Sequence, residues 1–281
     1  MTRLLDLGIL DGPVLVFGGP YGNLEATEVL LAEATSLGIG PSRILCTGDV
    51  VAYCADAQAT VERIRGAGMA VVQGNCEESL GSDADDCGCG FEEGTACDTL
   101  SAQWYAYARQ TLDADAKKWM ADLPRRITFT MAGRRWAAIH GGVERVNRFL
   151  FASTAEADLA DELDTAGVEG IVAGHCGLPF TRHVGTRLWH NAGVIGLPAN
   201  DGTPRVWYSL LTPGTKGITV EQRSLEYDHG AAARKMVKRG LPQGYANALH
   251  SGLWPSLDVL PAAERKATGR PLAARSVSWP R

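Results

Sequence analysis

Short apolar runs alternate with amphipathic stretches over the first part of the chain. The apolar runs are bounded by glycine or polar residues, as buried strands are, and lie at 13–17, 43–46 and 70–73. Helical patterns at about 23–38 and 56–65 separate them. Strand, helix, strand, helix, strand is the order in which a parallel sheet is built, so this part predicts an α/β fold.

The pattern changes after these elements. Residues 81–98 are rich in glycine and aspartate, which indicates a loop, and a helix is predicted from Leu100 to about Met120. Alternating apolar and polar residues predict a hairpin over 127–139. The remaining elements are a helix and four strand-length runs, at 154–166, 170–173, 188–191, 205–211 and 217–223. Turns separate the last three runs, which favours antiparallel pairing in this half.

The C-terminal part is less regular. It begins with a helical pattern near residue 230 and is then interrupted by prolines. Its apolar residues, Trp254 among them, are candidates to cover a partner or the protein's own core. No repeat or long linker divides the chain. We therefore predict one main domain over residues 1–230 and a helical or irregular extension over 231–281 that packs on it.

Composition narrows the class of protein. The 281 residues are 45% hydrophobic and 21% charged, which is typical of a globular chain and excludes a disordered one. The net charge of −5 and the lack of a basic stripe argue against general nucleic-acid binding. The apolar runs are too short to cross a membrane, and Asp6 and Asp11 interrupt the region where a signal peptide needs an apolar core. The odd count of seven cysteines favours a reducing, cytoplasmic location.

Four predicted strand ends carry a polar residue next to a glycine. They are Gly48-Asp49, Gly74-Asn75, His140-Gly141 and Gly174-His175. Ligand sites in α/β proteins form outside the carboxyl ends of the strands, so these side chains are expected to converge. One carboxylate, one amide and two imidazoles make a metal site of mixed oxygen and nitrogen donors, which suits Zn, Mn or Fe.

In these motifs the sequence resembles the calcineurin-like metallophosphoesterases of the compact bacterial type, from about Pro13 to Glu226. The resemblance implies an α/β four-layer sandwich, in which two mixed β-sheets pack face to face and are flanked by helices. It makes residues 1–230 a metallophosphoesterase-like domain. It also implies phosphoester hydrolysis by two neighbouring metals, with the second metal held by Asp49, Asn75, His140 and His175.

The sequence departs from the family motifs at three positions. Gly19 and Tyr21 stand where the family has the aspartate and histidine of its first motif, and Gly177 stands where the last motif ends in histidine. All three replaced residues belong to the first metal in the family. This implies either a mononuclear centre or a first site rebuilt from other residues.

The resemblance also assigns candidate catalytic residues. His140 belongs to the motif set, and Cys76 takes the position at which many relatives carry a histidine that assists the leaving group. Tyr21 can ligate a metal or donate a hydrogen bond to a phosphate oxygen. We therefore expect His140, Cys76 and Tyr21 to take part in catalysis.

The cysteines leave several interpretations open. Three of them, Cys87, Cys89 and Cys97, lie on or next to the glycine-rich loop and have no counterpart in the family motifs. They are candidates for a soft metal site, a redox pair, a loop disulfide or no special role. Cys54 and Cys176 are either additional ligands of such a site or buried small apolar residues.

The sequence therefore predicts a metal-dependent phosphoesterase with an altered, mononuclear or rebuilt centre. It is expected to hold one divalent transition metal, Mn, Zn or Fe, at each site and to hydrolyse a small phosphorylated substrate, either a phosphodiester or a phosphomonoester. The alternative is a non-catalytic module on the same fold that binds or senses a metal or a redox change.

Overall fold

The structure is a computed structural model and describes residues 3–281. Within this range twelve strands form two six-stranded sheets. The first sheet has the order β1-β5-β6-β7-β9-β8, with strands Leu4–Ile9, Arg126–Met131, Arg134–Ala138, Gly170–Ala173, Arg187–Asn191 and Phe180–Val184. The second has the order β12-β11-β10-β2-β3-β4, with strands Arg275–Pro280, Gly217–Leu225, Val206–Gly214, Val14–Phe17, Ile44–Cys46 and Ala70–Val71. Both sheets contain parallel and antiparallel pairs.

Helices connect and cover these strands. In chain order α1 to α9 span Leu24–Ser36, Ala57–Ala67, Asn75–Gly81, Ala96–Thr111, Ala114–Asp122, Glu156–Ala166, His229–Lys238, Gln243–Ser251 and Ala262–Ala267. A short 3₁₀ turn at Pro41–Arg43 precedes β3. Helix α1 begins after Asn23, whose side chain accepts a hydrogen bond from the backbone of Ala26. No helix among residues 3–281 is long and apolar enough to cross a membrane.

The alternation of side chains along β2 shows how the layers pack. Val14 and Val16 face the space between the two sheets, where they join Trp136 and Trp279. Leu15 and Phe17 face the other way, toward the helices that cover the second sheet. A third apolar cluster lies on the outer face of the first sheet, around α6. This confirms the predicted sandwich of two mixed sheets between helices.

The structure differs from the sequence predictions in several elements. Strands β1, β8 and β12 were not predicted, and Asn75–Gly81 forms a helix where only a strand end was expected. The single helix predicted over 100–120 is two helices, α4 and α5. They separate at Asp113, whose carboxylate accepts a hydrogen bond from the backbone N–H of Ala116 and so starts α5.

The extension over 231–281 is not only helical or irregular. Its last strand, β12, pairs with β11 at the edge of the second sheet. Trp279 of this strand is buried against Trp136, with ring centroids 5.0 Å apart, and its indole N–H donates to the carbonyl of Thr186. The end of the extension therefore completes a sheet of the main domain.

Candidate metal centre

Four loops meet at one edge of the sandwich, each at the carboxyl end of a strand. Asp49 follows β3, Asn75 follows β4, and His140 and His175 follow β6 and β7. Asp49 and His175 both have positive φ, 57° and 58°, so each loop turns sharply where it presents its side chain. Gly48 permits this close approach, because a Cβ atom there would lie 2.9 Å from Nδ1 of His140.

Potential ligand atoms surround the Nε2 atom of His140. It lies 3.0 Å from Oδ1 of Asn75, 3.1 Å from Nδ1 of His175 and 3.2 Å from Oδ2 of Asp49. All four residues are buried. A ring nitrogen carries at most one proton, so it cannot satisfy three such neighbours by hydrogen bonds.

This donor set fits a divalent transition metal. Ligand atoms that share one such ion at about 2.0–2.2 Å lie about 3 Å from each other, which is the spacing found around His140. Nδ1 of His140 lies 2.6 Å from the carbonyl of Thr47 and donates its proton there, which leaves the Nε2 lone pair free for a metal. The amide of Asn75 donates to the carbonyl of Cys87, which turns its oxygen toward the site.

The electrostatics of the buried group favour a positive charge beside Asp49 and a neutral His175. Burial would lower the pKa of His140, but the carboxylate of Asp49 raises it above its usual value. Burial would raise the pKa of Asp49, but the charge of His140 lowers it. Burial, together with His140, lowers the pKa of His175 to about 3. His175 is therefore neutral near pH 7, which is the form that binds a metal.

Glu77 ties two of the loops together from behind the site. Its carboxylate is fully buried and accepts hydrogen bonds from the backbone N–H groups of Asp49, Val50 and Gly74, at 2.8, 2.7 and 2.9 Å. Burial, with the nearby charge of Asp49, raises the pKa of Glu77 to about 7. Through these contacts Glu77 fixes the backbone on which Asp49 and Asn75 stand.

Aromatic side chains fill the positions at which the family motifs place ligands of the first metal. A Cβ atom on Gly19 would lie under 3.0 Å from three atoms of the Tyr21 ring. A Cβ atom on Gly177 would lie 3.2 Å from the ring of Trp254, which comes from the C-terminal extension. The Trp254 backbone and indole N–H groups donate to Asn200 and Pro198, respectively. Trp254 therefore packs on the protein's own third apolar cluster and also lines the site.

A narrow cavity lies above Asp49 and His175. Its volume is about 60 Å³, and aromatic rings from distant parts of the chain line it: Tyr21, Tyr53, Phe91, Phe149, Tyr245 and Trp254. The ring of Phe149 lies 4.1 Å from that of His175, and Tyr53 contacts both Tyr21 and Tyr245. Sequence reasoning missed Tyr53, Phe149 and Tyr245, since they follow no motif and only the fold brings them together.

The predicted catalytic residues lie at this cavity or directly beneath it. Tyr21 lines the cavity beside Asp49, and burial raises the pKa of its hydroxyl well above the usual range. Cys76 is buried, and its backbone N–H donates to Oδ1 of Asp49. Burial, with the charge of Asp49, raises the pKa of the Cys76 thiol well above its usual range, so it is a weaker proton donor than a free thiol.

The cysteine loop takes only one of its predicted forms. Cys87 and Cys89 form a disulfide, which is the loop-disulfide alternative, and Cys97 remains a free thiol. Cys176 accepts a hydrogen bond from Asn191, and the Cys54 thiol points to a backbone carbonyl, both among buried residues. Within residues 3–281 no cysteine joins a cluster of three ligand atoms. The predicted additional metal site on these cysteines is therefore not assembled, and the buried-thiol alternative describes Cys54 and Cys176.

Comparisons with known proteins agree with this geometry. A sequence model of the calcineurin-like phosphoesterase superfamily domain matches residues 22–214. An uncharacterized protein of Methanocaldococcus jannaschii is 26% identical over 257 residues, which cover 85% of this chain and 98% of that protein.

Solved structures show a similar fold. A metallophosphoesterase from Sphaerobacter thermophilus has a TM-score of 0.67 and 20% identity, over 87% of this chain and 100% of that chain. A hypothetical protein from Pyrococcus horikoshii OT3 has a TM-score of 0.72 and 15% identity, over 86% of this chain and 99% of that chain. The family model matches more than half of the residues of this chain. The chain therefore belongs to the calcineurin-like phosphoesterase superfamily.

Proposed function

We propose that the protein is a metal-dependent phosphoesterase with a mononuclear centre formed by Asp49, Asn75, His140 and His175. The observation that carries the proposal is the spacing around Nε2 of His140, with three ligand atoms at 3.0–3.2 Å. The proposed substrate is a small phosphorylated compound, and the proposed metal is Mn, Zn or Fe. When bound, such a metal would lower the pKa of a water molecule and polarise a phosphoryl oxygen.

The side chains around the centre have separate roles in this proposal. In the neutral form of His140 the carbonyl of Thr47 holds the proton on Nδ1, so the lone pair of Nε2 is free for a metal. The hydroxyl of Tyr21 stays protonated near pH 7, because burial raises its pKa, and it can donate a hydrogen bond to a phosphoryl oxygen. The aromatic wall makes the surroundings of the centre less polar than water and so strengthens these interactions.

Elemental analysis of protein purified without added metal tests the centre. We expect one metal per chain, which is lost in His140→Ala and kept in the matched variant His183→Ala, since His183 is exposed on β8. The Cys87→Ser/Cys89→Ser variant should keep its metal. Turnover of simple phosphoesters should fall together with the metal content. Turnover that survives complete loss of the metal would contradict the mechanism.

A second candidate function is a binding or sensing module without turnover. The rings of Tyr21 and Trp254 favour it, because they leave no room for side chains that would bind the first metal. The Cys87–Cys89 disulfide also favours it, because the carbonyl of Cys87 orients the ligand Asn75. A screen of phosphomonoesters and phosphodiesters with Mn, Zn and Fe discriminates the two functions. Uniform inactivity of a protein that binds its metal tightly would support the sensor.

A further inference from the structure

The cavity wall is unusual for a site that meets phosphate groups. Among the residues that the structure describes, no lysine or arginine lines the cavity, and Asp49 is the only carboxylate. His175, the only histidine in this lining, is one of the proposed metal ligands. The rest of the wall is mostly aromatic, aliphatic or sulfur-containing, and its further polar groups are the hydroxyls of three tyrosines and Ser256.

We infer that the site selects a ligand with one phosphoryl group and a compact, uncharged organic part, and that it discriminates against polyphosphates. This inference rests on the proposed function and names its substrate class. One phosphoryl group can meet the metal. A second phosphate would have to leave water for a wall without a lysine or arginine. Sites for nucleotide polyphosphates provide lysine or arginine for the further phosphates.

The small volume of the cavity also limits the size of the organic part of the ligand. The cavity volume is about 60 Å³. Two hydrogen bonds restrain Trp254 against a movement that would widen the cavity. Its backbone N–H donates to Oδ1 of Asn200 at 2.9 Å, and its indole N–H donates to the carbonyl of Pro198 at 2.7 Å. The segment after it is fixed to helix α4, where the backbone of Ala96 donates to the carboxylate of Asp258. The cavity is partly open, so a nucleoside would have to lie mostly outside it.

Titration calorimetry on the metal-loaded protein tests this selectivity independently of turnover. The two probes are methylphosphonate, with one phosphorus group, and pyrophosphate, with two, so they differ in both charge and length. A metal in an open site binds the more highly charged pyrophosphate better. We expect the reverse here, with methylphosphonate bound more tightly by about tenfold or more. Tighter binding of pyrophosphate, or binding of neither probe, would overturn the inference.

A charge placed in the wall gives a matched test. Ser256 lines the cavity and is half-buried, and Ser256→Lys puts an ammonium group there. Ser256→Gln has similar length without the charge, and both variants lose the hydrogen bond that the backbone of Asp258 donates to Ser256. We expect Ser256→Lys, and not Ser256→Gln, to shift the affinity ratio toward pyrophosphate by about tenfold. Equal ratios in the two variants would contradict a role for wall charge.

The outcomes also separate this inference from the proposed function. Tight binding of methylphosphonate with no hydrolysis of any phosphoester contradicts the phosphoesterase and leaves the ligand selectivity in place. Hydrolysis of phosphomonoesters together with tighter binding of pyrophosphate contradicts the selectivity and leaves the phosphoesterase in place.

Discussion

Restoring one residue of the first metal motif tests whether aromatic packing has replaced that metal. Gly19 has φ of +38°, and a Cβ atom on it would lie under 3.0 Å from three atoms of the Tyr21 ring. We therefore expect Gly19→Asp alone to destabilise the protein. Gly19→Asp together with Tyr21→His should recover part of the loss, because the smaller imidazole withdraws the atoms that collide.

The magnitude follows from two terms. A non-glycine residue in the left-handed region costs about 1 kcal/mol, and overpacking a buried site costs about 1–3 kcal/mol. The free energy of unfolding of Gly19→Asp should thus fall by about 2–4 kcal/mol. Tyr21→His alone removes buried aromatic surface, since Tyr21 is 5% exposed and its ring packs against Tyr53 with centroids 4.8 Å apart. Only the overpacking term is relieved in the double variant, so the coupling should be about 1–3 kcal/mol.

Denaturant unfolding of the wild type, both single variants and the double variant measures this coupling. The measurement is made on metal-free protein, so that changes in metal affinity do not enter the stability. If the two substitutions add within about 0.5 kcal/mol, the ring of Tyr21 does not compete with a side chain at position 19, and the steric account is wrong. Gly19→Ala is the control, because it carries the same backbone strain and the same Cβ collision without a carboxylate.

Two further predictions concern buried titratable side chains. In the wild type, three backbone N–H groups donate to the carboxylate of Glu77, and Glu77→Gln replaces one of its oxygens by an amide donor. We expect the metal affinity, measured by competition with a chelator, to fall by about 10–100-fold. The control Glu78→Gln should leave the metal affinity unchanged. Unchanged affinity in Glu77→Gln would mean that the loops hold their places without this carboxylate.

The other prediction concerns His190. Burial lowers the pKa of this histidine to about 3. The unfolded chain binds a proton below about pH 6.5 that the folded chain does not, so wild-type stability should fall with decreasing pH by up to about 1.4 kcal/mol per unit. His190→Gln should lack this part of the slope in denaturant unfolding between about pH 6 and pH 3; equal slopes would place a proton on His190 in the folded state.

The metal centre was predictable from the sequence because its residues sit in local motifs. Asp49, Asn75, His140 and His175 each follow a short apolar strand and stand next to a glycine or at a turn, and parallel strands end at one edge of a sheet. The order of these motifs then fixed the family and the fold. The local strand-end motifs and the sheet topology both bring these four side chains to the same edge, so the site could be predicted without the structure.

The cavity wall and the outer strands were not predictable for the opposite reason. Strand β1 is mostly exposed and lacks the buried pattern of a core strand, and β12 is identified as a strand only by its pairing with β11. Trp254 reaches the site through tertiary packing, and no spacing relates it to Gly177. The sequence prediction of one helix over 100–120 did not include the break at Asp113, because the helical pattern continues on both sides of this N-cap residue.

The origin of Trp254 in the last part of the chain has a consequence for protein synthesis. The four ligands lie between Asp49 and His175, so they leave the ribosome well before the tryptophan that closes the cavity. At synthesis rates of about 5–20 residues per second the delay is on the order of ten seconds. During that time Trp254 cannot cover the cavity, so this side of the wall is completed only after all four ligands have been made.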